Sequence, residues 1–384
     1  MDSLNTFARK KLAEIKTKGL YRETLAGVRG PEASVVRDGE TFISFSDNDY
    51  LGLSQHPEVK EAAREATENY GSGAGASRLI TGNHPLYQAL EQKISALKGT
   101  EAACIFTSGY QTNLGVIPVL AGKGDLILAD RLCHACVHAG AALSHANMKI
   151  FRHNDLDHLT EMLERFRKSY QNCLILTDGI FSMDGDLAPV DKLADLARAH
   201  DAWLMVDDAH GLGVVEDGRG TCFKNGRRLD VPLQMGTFSK AAGSAGGYIA
   251  GDAVVIDLIK NRARTLIYTT GLPPAVVGAS LKAVEIIENN PKLCAKPVKK
   301  AAIFCRALNL PEPVSSIVPV IVAEPEFAMK AYEDLKSEGF LVHPIRPPTV
   351  PEGTARLRFS FSAAHKDEDV ERLAEMVRKH RIVK

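Results

Sequence analysis

The sequence predicts an α/β fold, with a large, mainly parallel sheet followed by a smaller α+β unit. Three observations lead there. Between residues 85 and 250, apolar strand-like runs alternate with helical periodicities, the pattern of a parallel sheet covered by helices on both faces. Several of these strands stop abruptly in polar residues, among them Ser108, Asp178, Ser182, Asp207, His210 and Lys240. In open α/β sheets, ligands sit beyond the carboxyl ends of the strands, so these residues are expected to form one site. After residue 280 the pattern changes to three short strands between two helices. The division expected is an N-terminal helix and short strand over 1–45, a large α/β domain over 46–280 and a small α+β domain over 281–384.

Taken in order, Leu4, Phe7, Leu12 and Ile15 recur at helical spacing, with Gly19 placed to stop the helix. Residues 42–45 read as a strand and 46–52 as a polar loop. Pro57 opens a helix over 59–69, and the glycine-rich stretch 71–78 reads as a loop. It lacks the Gly-Lys-Ser/Thr ending of a P-loop and the preceding strand of a dinucleotide site. The alternating region then gives helices over 86–97, 111–120, 135–143, 159–166 and 191–199. Its strands fall at 102–106, 126–129, 149–151, 173–176, 203–207, 231–235 and 247–250. Asn154 or Asp155 caps the 159–166 helix. A connecting helix over 279–288 precedes strands at 318–322, 340–343 and 357–361 and helices at 327–337 and 368–379. In the last strand, a period of two sets Arg356 and Arg358 on one face, ordinarily a solvated one.

Composition narrows the function classes. In 384 residues, 45% are hydrophobic and 24% charged, as in an ordinary globular protein with a substantial core. Lysines plus arginines equal aspartates plus glutamates at 47 each, so total charge predicts neither nucleic acid nor an anionic membrane as partner. No apolar run reaches the roughly 18 residues of a membrane span, and the N-terminus lacks a signal-peptide core. A cytoplasmic location is expected. The seven cysteines are odd in number and dispersed, unlike a disulfide framework. Cys133, Cys136 and His138 have the spacing of half a zinc site, but no second Cys-x-x-Cys exists and structural zinc takes four ligands. They read as residues of one packed helix, and no metal is expected.

The stretch Gln234-Met235-Gly236-Thr237-Phe238-Ser239-Lys240-Ala241-Ala242-Gly243 leads from a strand to a lysine with little bulk around it. One strand earlier, Asp207 stands at a strand end with His210 three residues on. Singly, these are a turn lysine and a helix-capping aspartate. Together they suit pyridoxal phosphate, which needs a Schiff-base lysine and an acidic partner for its pyridinium nitrogen.

On five segments the chain resembles the α-oxoamine synthase family of pyridoxal phosphate enzymes over nearly its whole length. They are Ser46-Asp47-Asn48-Asp49-Tyr50-Leu51-Gly52, Phe181-Ser182-Met183-Asp184-Gly185-Asp186, Val206-Asp207-Asp208-Ala209-His210-Gly211, Thr237-Phe238-Ser239-Lys240 and Ile345-Arg346-Pro347-Pro348-Thr349-Val350-Pro351. The last points to the branch that serves biotin biosynthesis. The resemblance implies the fold-type I pyridoxal phosphate transferase architecture and a homodimer with active sites at its interface. It also implies decarboxylative condensation of L-alanine with a pimeloyl thioester of coenzyme A or an acyl carrier protein.

Residue roles follow from the same resemblance. Lys240 holds the cofactor and then removes the alanine α-proton, for which its pKa must be lowered. Asp207 pairs with the pyridinium nitrogen, His210 and Ser182 with the ring's phenolic oxygen, and His134 stacks over the ring. The N–H groups of Gly109 and Tyr110, at a helix N-terminus, suit the phosphate, and Thr237 adds a hydroxyl. Thr269 or Thr270 reaches the phosphate of the neighbouring subunit. Arg358 clamps the amino-acid carboxylate, and Asn48, Arg22 and Thr349 match substrate-contacting positions. A buried pimeloyl carboxylate needs a cation, for which Arg22 and Arg346 are the candidates.

Ser239 and Ala241 stand where many relatives have glycine, Cys133 where serine is familiar, and Gly73-Ala74-Gly75-Ala76-Ser77 varies a Gly-Gly-Ser loop. These departures bear on the substrate more than the cofactor. A sister activity on glycine or another amino acid with a different acyl-CoA therefore stays open, as does a non-catalytic homologue that binds the cofactor.

Overall fold

In a computed structural model, residues 2–17 and 20–383 are described. The central sheet has seven strands in the order Ala102–Phe106, Gly247–Gly251, Leu233–Thr237, Trp203–Asp207, Cys173–Asp178, Leu126–Asp130 and Asn147–Phe151. The last five of these run parallel to one another. Gly247–Gly251 runs antiparallel to both strands that flank it, a direction that periodicity does not encode.

The strands read as continuous apolar runs because both faces are covered. Ile127, Leu174, Leu176 and Met205 turn to one side, against Val116, Ile117, Val137 and Ala141 of the helices Gly109–Leu120 and Ala135–Ser144. Leu128, Ile175, Leu204 and Val206 turn to the other, against Leu159, Leu163 and Leu193. The period of two along each strand thus divides one sheet between two cores. In register, Asp178 lies beside Asp207, and Asp207 beside Met235, which brings the acidic strand ends together.

Pro57 occupies the first turn of Pro57–Tyr70, where its missing N–H costs nothing. Of the two proposed caps, Asp155 holds the helix Leu156–Phe166, accepting from His158 N, while Asn154 takes a positive φ of 53°. Residues 71–76 carry no helix or strand, and Ser77 forms an isolated bridge with Thr270. Cys133 lies ahead of the Ala135–Ser144 helix, so the single-helix placement of Cys133, Cys136 and His138 is corrected. The expected stop at Gly19 lies outside the described residues.

The strand expected over 340–343 is two strands in two sheets. Phe340–Leu341 pairs parallel with Glu40–Ser44, and His343–Ile345 pairs antiparallel with Ala355–Ser360. The switch falls at Val342, which is fully buried. Ala355–Ser360 also pairs with Ile317–Ala323. Phe45 packs edge-on against Phe340 and Phe361, with ring centroids 5.9 and 5.6 Å apart. The hairpin Ser34–Arg37/Glu40–Ser44 and the helices Ala253–Arg262 and Lys296–Ala307 were not foreseen. The helix Asp2–Thr17 buries none of its side chains. Among the described residues no helix is long and apolar enough to cross a membrane.

Candidate active site

A cavity of ≈ 250 Å³ opens where the parallel strands end, lined by Gly109, His134, Asp207, His210, Thr237 and Lys240 among others. Asp207 is the last residue of Trp203–Asp207, and Thr237 the last of Leu233–Thr237. Lys240 follows in a turn closed by Gly243 N donating to Lys240 O at 2.8 Å. Gly243 has φ +63°, and a Cβ there would meet Ser54 N at 2.2 Å. Only glycine lets the turn lie so close to the neighbouring backbone.

Lys240 Nζ lies 2.6 Å from His210 Nε2, and His210 Nδ1 lies 2.6 Å from the Tyr50 hydroxyl. Tyr50 donates to Asn48 Oδ1 at 3.1 Å. Arg358 Nη2 donates to the same oxygen at 3.2 Å and to the Tyr50 hydroxyl at 3.4 Å. The Arg358 fork is also fixed by the Ser182 carbonyl and by the Ser360 hydroxyl at 2.7 Å. A neutral imidazole offers one donor and one acceptor. With Lys240 protonated, the chain therefore runs Lys240 to His210 Nε2, His210 Nδ1–H to Tyr50, and Tyr50 O–H to Asn48.

Electrostatics sharpen this chain. Burial lowers the Lys240 amine to about 8, against the opposing pull of Asp207 and Asp178. Burial, together with the cations Lys240 and Arg358, holds His210 well below its usual range, so it stays neutral. Burial, with Asp207 close by, pushes the Asp178 carboxyl well above its usual range. Ionisation of Asp178 is therefore disfavoured at this strand end.

Asp207 Oδ2 accepts from Asn113 Nδ2 at 2.8 Å and Oδ1 from Ala209 N at 3.1 Å. Asn113 Nδ2 also lies 3.0 Å from Cys136 Sγ, which is 2.8 Å from His134 Nδ1. His134 caps its helix and takes Asp178 Oδ1 on its backbone N–H at 3.3 Å. Its imidazole, lowered chiefly by burial, stands at the cavity edge. Cys136, raised to about 12 by burial, is a thiol here.

Gly109 and Tyr110 begin the helix that Ser108 caps through Gln111 N. A Cβ on Gly109 would meet Met235 Cε at 3.1 Å and Thr237 Cβ at 3.4 Å. Its absence keeps the first-turn N–H groups approachable. Thr237 Oγ1 donates to Gly246 O at 2.6 Å and lies 2.8 Å from Ser239 Oγ. A half-positive helix end, a buried amine near neutrality and a strand-end carboxylate held by Asn113 fit a phosphorylated pyridine aldehyde.

Other expected residues lie apart from this cavity. Ser182 contributes its carbonyl to Arg358. Thr269 and Thr270 line a separate small cavity with Arg78 and Tyr87. Arg22, Arg346 and Thr349 line a third, larger cavity of ≈ 650 Å³ that also takes in His343, the residue opposite Arg358 in the sheet. Tyr50 and Asn113 were missed as site residues. Tyr50 lies in the polar 46–52 loop, where nothing in the local sequence ties it to a histidine 160 residues away. Asn113 lies inside a helix, with no terminus or motif to mark it.

Comparison with known proteins agrees with this geometry. The model of the family described as aminotransferase class I and II matches residues 40–377. A putative 8-amino-7-oxononanoate synthase of Parvibaculum lavamentivorans is 56% identical over 379 residues, covering 98% of this chain and 97% of the relative. An 8-amino-7-oxononanoate synthase of Methylocella silvestris is 59% identical over 344 residues, covering 90% and 98%. Among solved structures, one described as SPT with PLP superposes with a TM-score of 0.89 at 28% identity, covering 94% of each chain. The chain belongs to the aminotransferase class I and II family, as an α-oxoamine synthase whose cofactor is pyridoxal phosphate.

Proposed function

We propose that this enzyme condenses L-alanine with a pimeloyl thioester, releasing carbon dioxide and the thiol carrier to give 8-amino-7-oxononanoate. The reading places it in biotin biosynthesis, in the cytoplasm, as a homodimer. The observation that carries it is the Lys240 amine, near pKa 8 beside Asp207, joined through His210 and Tyr50 to the Arg358 guanidinium. Relatives at 56% and 59% identity bear the matching name.

Pyridoxal phosphate, when bound, supplies an electron sink for negative charge at the amino-acid α-carbon. Lys240 carries it, and Nζ then accepts the proton from the alanine α-carbon. An amine near pKa 8 has a sizeable unprotonated fraction at neutral pH, as a general base requires. Asp207, oriented by Asn113, holds the proton on the pyridine nitrogen, and His134 bounds the ring face. His210, being neutral, serves the phenolic oxygen, and Ser182, outside the cavity lining, fixes Arg358 through its carbonyl. The first-turn N–H groups of Gly109 and Tyr110, with Thr237, hold the phosphate, and Thr269 or Thr270 approaches from the second subunit. Arg358 receives the alanine carboxylate by exchanging its longest contacts, those to Asn48 and Tyr50. Arg22, Arg346 and Thr349, in the larger cavity, receive the acyl chain and its terminal carboxylate.

The test is a kcat/KM comparison of alanine, glycine and serine against pimeloyl, octanoyl and acetyl thioesters. Alanine with pimeloyl is expected to lead. A higher value for glycine with acetyl-CoA would replace this reading with the sister activity. Borohydride reduction with peptide mapping is expected to label Lys240, and labelling elsewhere would remove its role.

A further inference from the structure

The ≈ 650 Å³ cavity holds a charge arrangement that the proposed alanine-side chemistry does not use. Four guanidinium groups line it: Arg22, Arg29, Arg37 and Arg346. Two acids line it as well. Asp47 is taken by Arg29 at 2.9 Å, and Glu23 is exposed at the surface. Arg37 differs from the other arginines. It stands at the end of the Ser34–Arg37 strand, with its Nε fully buried and unbonded. Its side chain forms no hydrogen bond or ion pair with any described residue, although Glu40 lies opposite it in the hairpin ladder. Its stem lies against Gly27, where a Cβ would meet Arg37 Cγ at 3.2 Å and Nε at 3.3 Å.

A guanidinium with a buried, unbonded donor is costly unless an acceptor arrives. Its field is felt inside the cavity: after burial, Arg358, Arg346 and Arg37 together hold the His343 imidazole below its usual range. His343 stays neutral there and adds no competing cation. The lining thus holds three further guanidinium groups, and none of its described groups bonds Arg37 Nε.

We propose that Arg37 is a further anion receptor of this cavity, beside Arg22 and Arg346, taking an oxyanion of the acyl thioester substrate. The oxyanion is either the far carboxylate of a dicarboxylic acyl chain or a phosphate of the carrier. A planar guanidinium fork suits both. The inference rests on the thioester condensation proposed above and adds a residue to those that select the acyl donor.

The experiment measures kcat/KM for pimeloyl and octanoyl thioesters, each on coenzyme A and on N-acetylcysteamine, which has no phosphate. Arg37→Gln is expected to lower one selectivity ratio by about ten- to a hundredfold, the value of a lost charge-assisted bond. A fall in pimeloyl over octanoyl, both on N-acetylcysteamine, identifies the chain carboxylate. A fall in coenzyme A over N-acetylcysteamine, both octanoyl, identifies the carrier phosphate. Arg37→Lys, which keeps the charge without the fork, is expected to retain part of the affected ratio. Calorimetric titration of the holoenzyme with pimelate and with inorganic pyrophosphate gives a readout apart from turnover, and Arg37→Gln should lose the binding that the wild type shows. Both ratios unchanged in Arg37→Gln, with binding retained, overturns the assignment. A wild type indifferent to pimeloyl against octanoyl removes the pimeloyl reading, while the carrier ratio and the pyrophosphate titration still decide Arg37.

Discussion

Lys98→Met tests how the acidic strand end beside the site is held. Lys98 and Asp208 are both fully buried, with Nζ donating to Asp208 Oδ2 at 2.8 Å and to Arg219 O at 2.6 Å. Asp208 also accepts from Thr221 N at 3.1 and 3.2 Å and from Thr221 Oγ1 at 2.8 Å. The space around it is closed. A Cβ on Gly211 or Gly220 would meet an Asp208 oxygen at 1.9 or 1.8 Å, which shuts out water. Methionine keeps the length of lysine and removes its charge, leaving the Asp208 carboxylate with the Thr221 donors alone. Breaking a buried pair in this way costs about 3–5 kcal/mol. At about 2.1 cal/mol/K per residue over 384 residues, the entropy of unfolding is about 0.8 kcal/mol/K. The melting midpoint should therefore fall by about 4–6 °C in calorimetry of the holoenzyme.

The sign with pH follows from the lysine. Burial alone would lower the Lys98 ammonium, but Asp208, with Tyr248 and Cys222, outweighs it and holds the group above its ordinary 10.5. A raised folded pKa gives stabilisation that is whole below 10.5 and is lost as pH rises through the folded value. The deficit of Lys98→Met should then be constant across about pH 6–9. Adding Asp208→Asn should restore part of it, because no buried charge remains. A midpoint loss under about 1 °C, equivalent to about 0.8 kcal/mol, would refute the reasoning.

Asp207→Asn preserves shape and the Asn113 contact, so the melting midpoint should hold while turnover falls by about a hundredfold or more, the scale of a lost electrostatic stabiliser; steady-state turnover near the wild-type value would refute the role. In cofactor-free protein, acetylation of Lys240 followed by mass spectrometry should show a midpoint near pH 8, since the amine reacts only when unprotonated; a midpoint near about 10.4, that of a free lysine, would contradict the burial argument. Arg22→Ala and Arg346→Ala should each narrow the pimeloyl-over-octanoyl preference by about tenfold, read as kcat/KM for the two thioesters; an unchanged preference in both variants would remove them from carboxylate recognition.

The sheet was legible because its strands are apolar on both faces and end where the polarity changes. The same junctions carry Asp207, Thr237 and Lys240, so much of the catalytic cavity could be read with the fold. Direction was not legible, since Gly247–Gly251 has the same apolar content whichever way it runs. Arg356 and Arg358 read as a solvated face, yet they are 3% and 6% exposed. Their partners, Asp184, the Met183 carbonyl and the Ser182 carbonyl, come from about 170 residues away and are invisible to local periodicity. Tyr50 and Asn113 escaped for the same reason. Each looks like an ordinary core or helix residue until His210 or Asp207 is brought alongside. Arg37 lies in a hairpin that the pattern did not mark, and its significance depends on a cavity assembled from both ends of the chain.

The junction of Glu40–Ser44 with Phe340–Leu341 sets an order on biosynthesis. Ile43 and Phe45 donate to the carbonyls of Gly339 and Leu341, and Ser360 donates to Phe45 O. These bonds join parts of the chain about 300 residues apart. At about 5–20 residues per second, roughly 15–60 s separate the emergence of Phe45 from that of its partners. During that interval Phe45 has no aromatic neighbours to bury it, while the strands from Ala102 to Gly251 can already assemble their sheet. Residues 40–45 thus emerge long before the partners that fix their place. A ribosome stalled before residue 340 would hold a chain whose central sheet is complete and whose N-terminal strand is still a free, sticky edge.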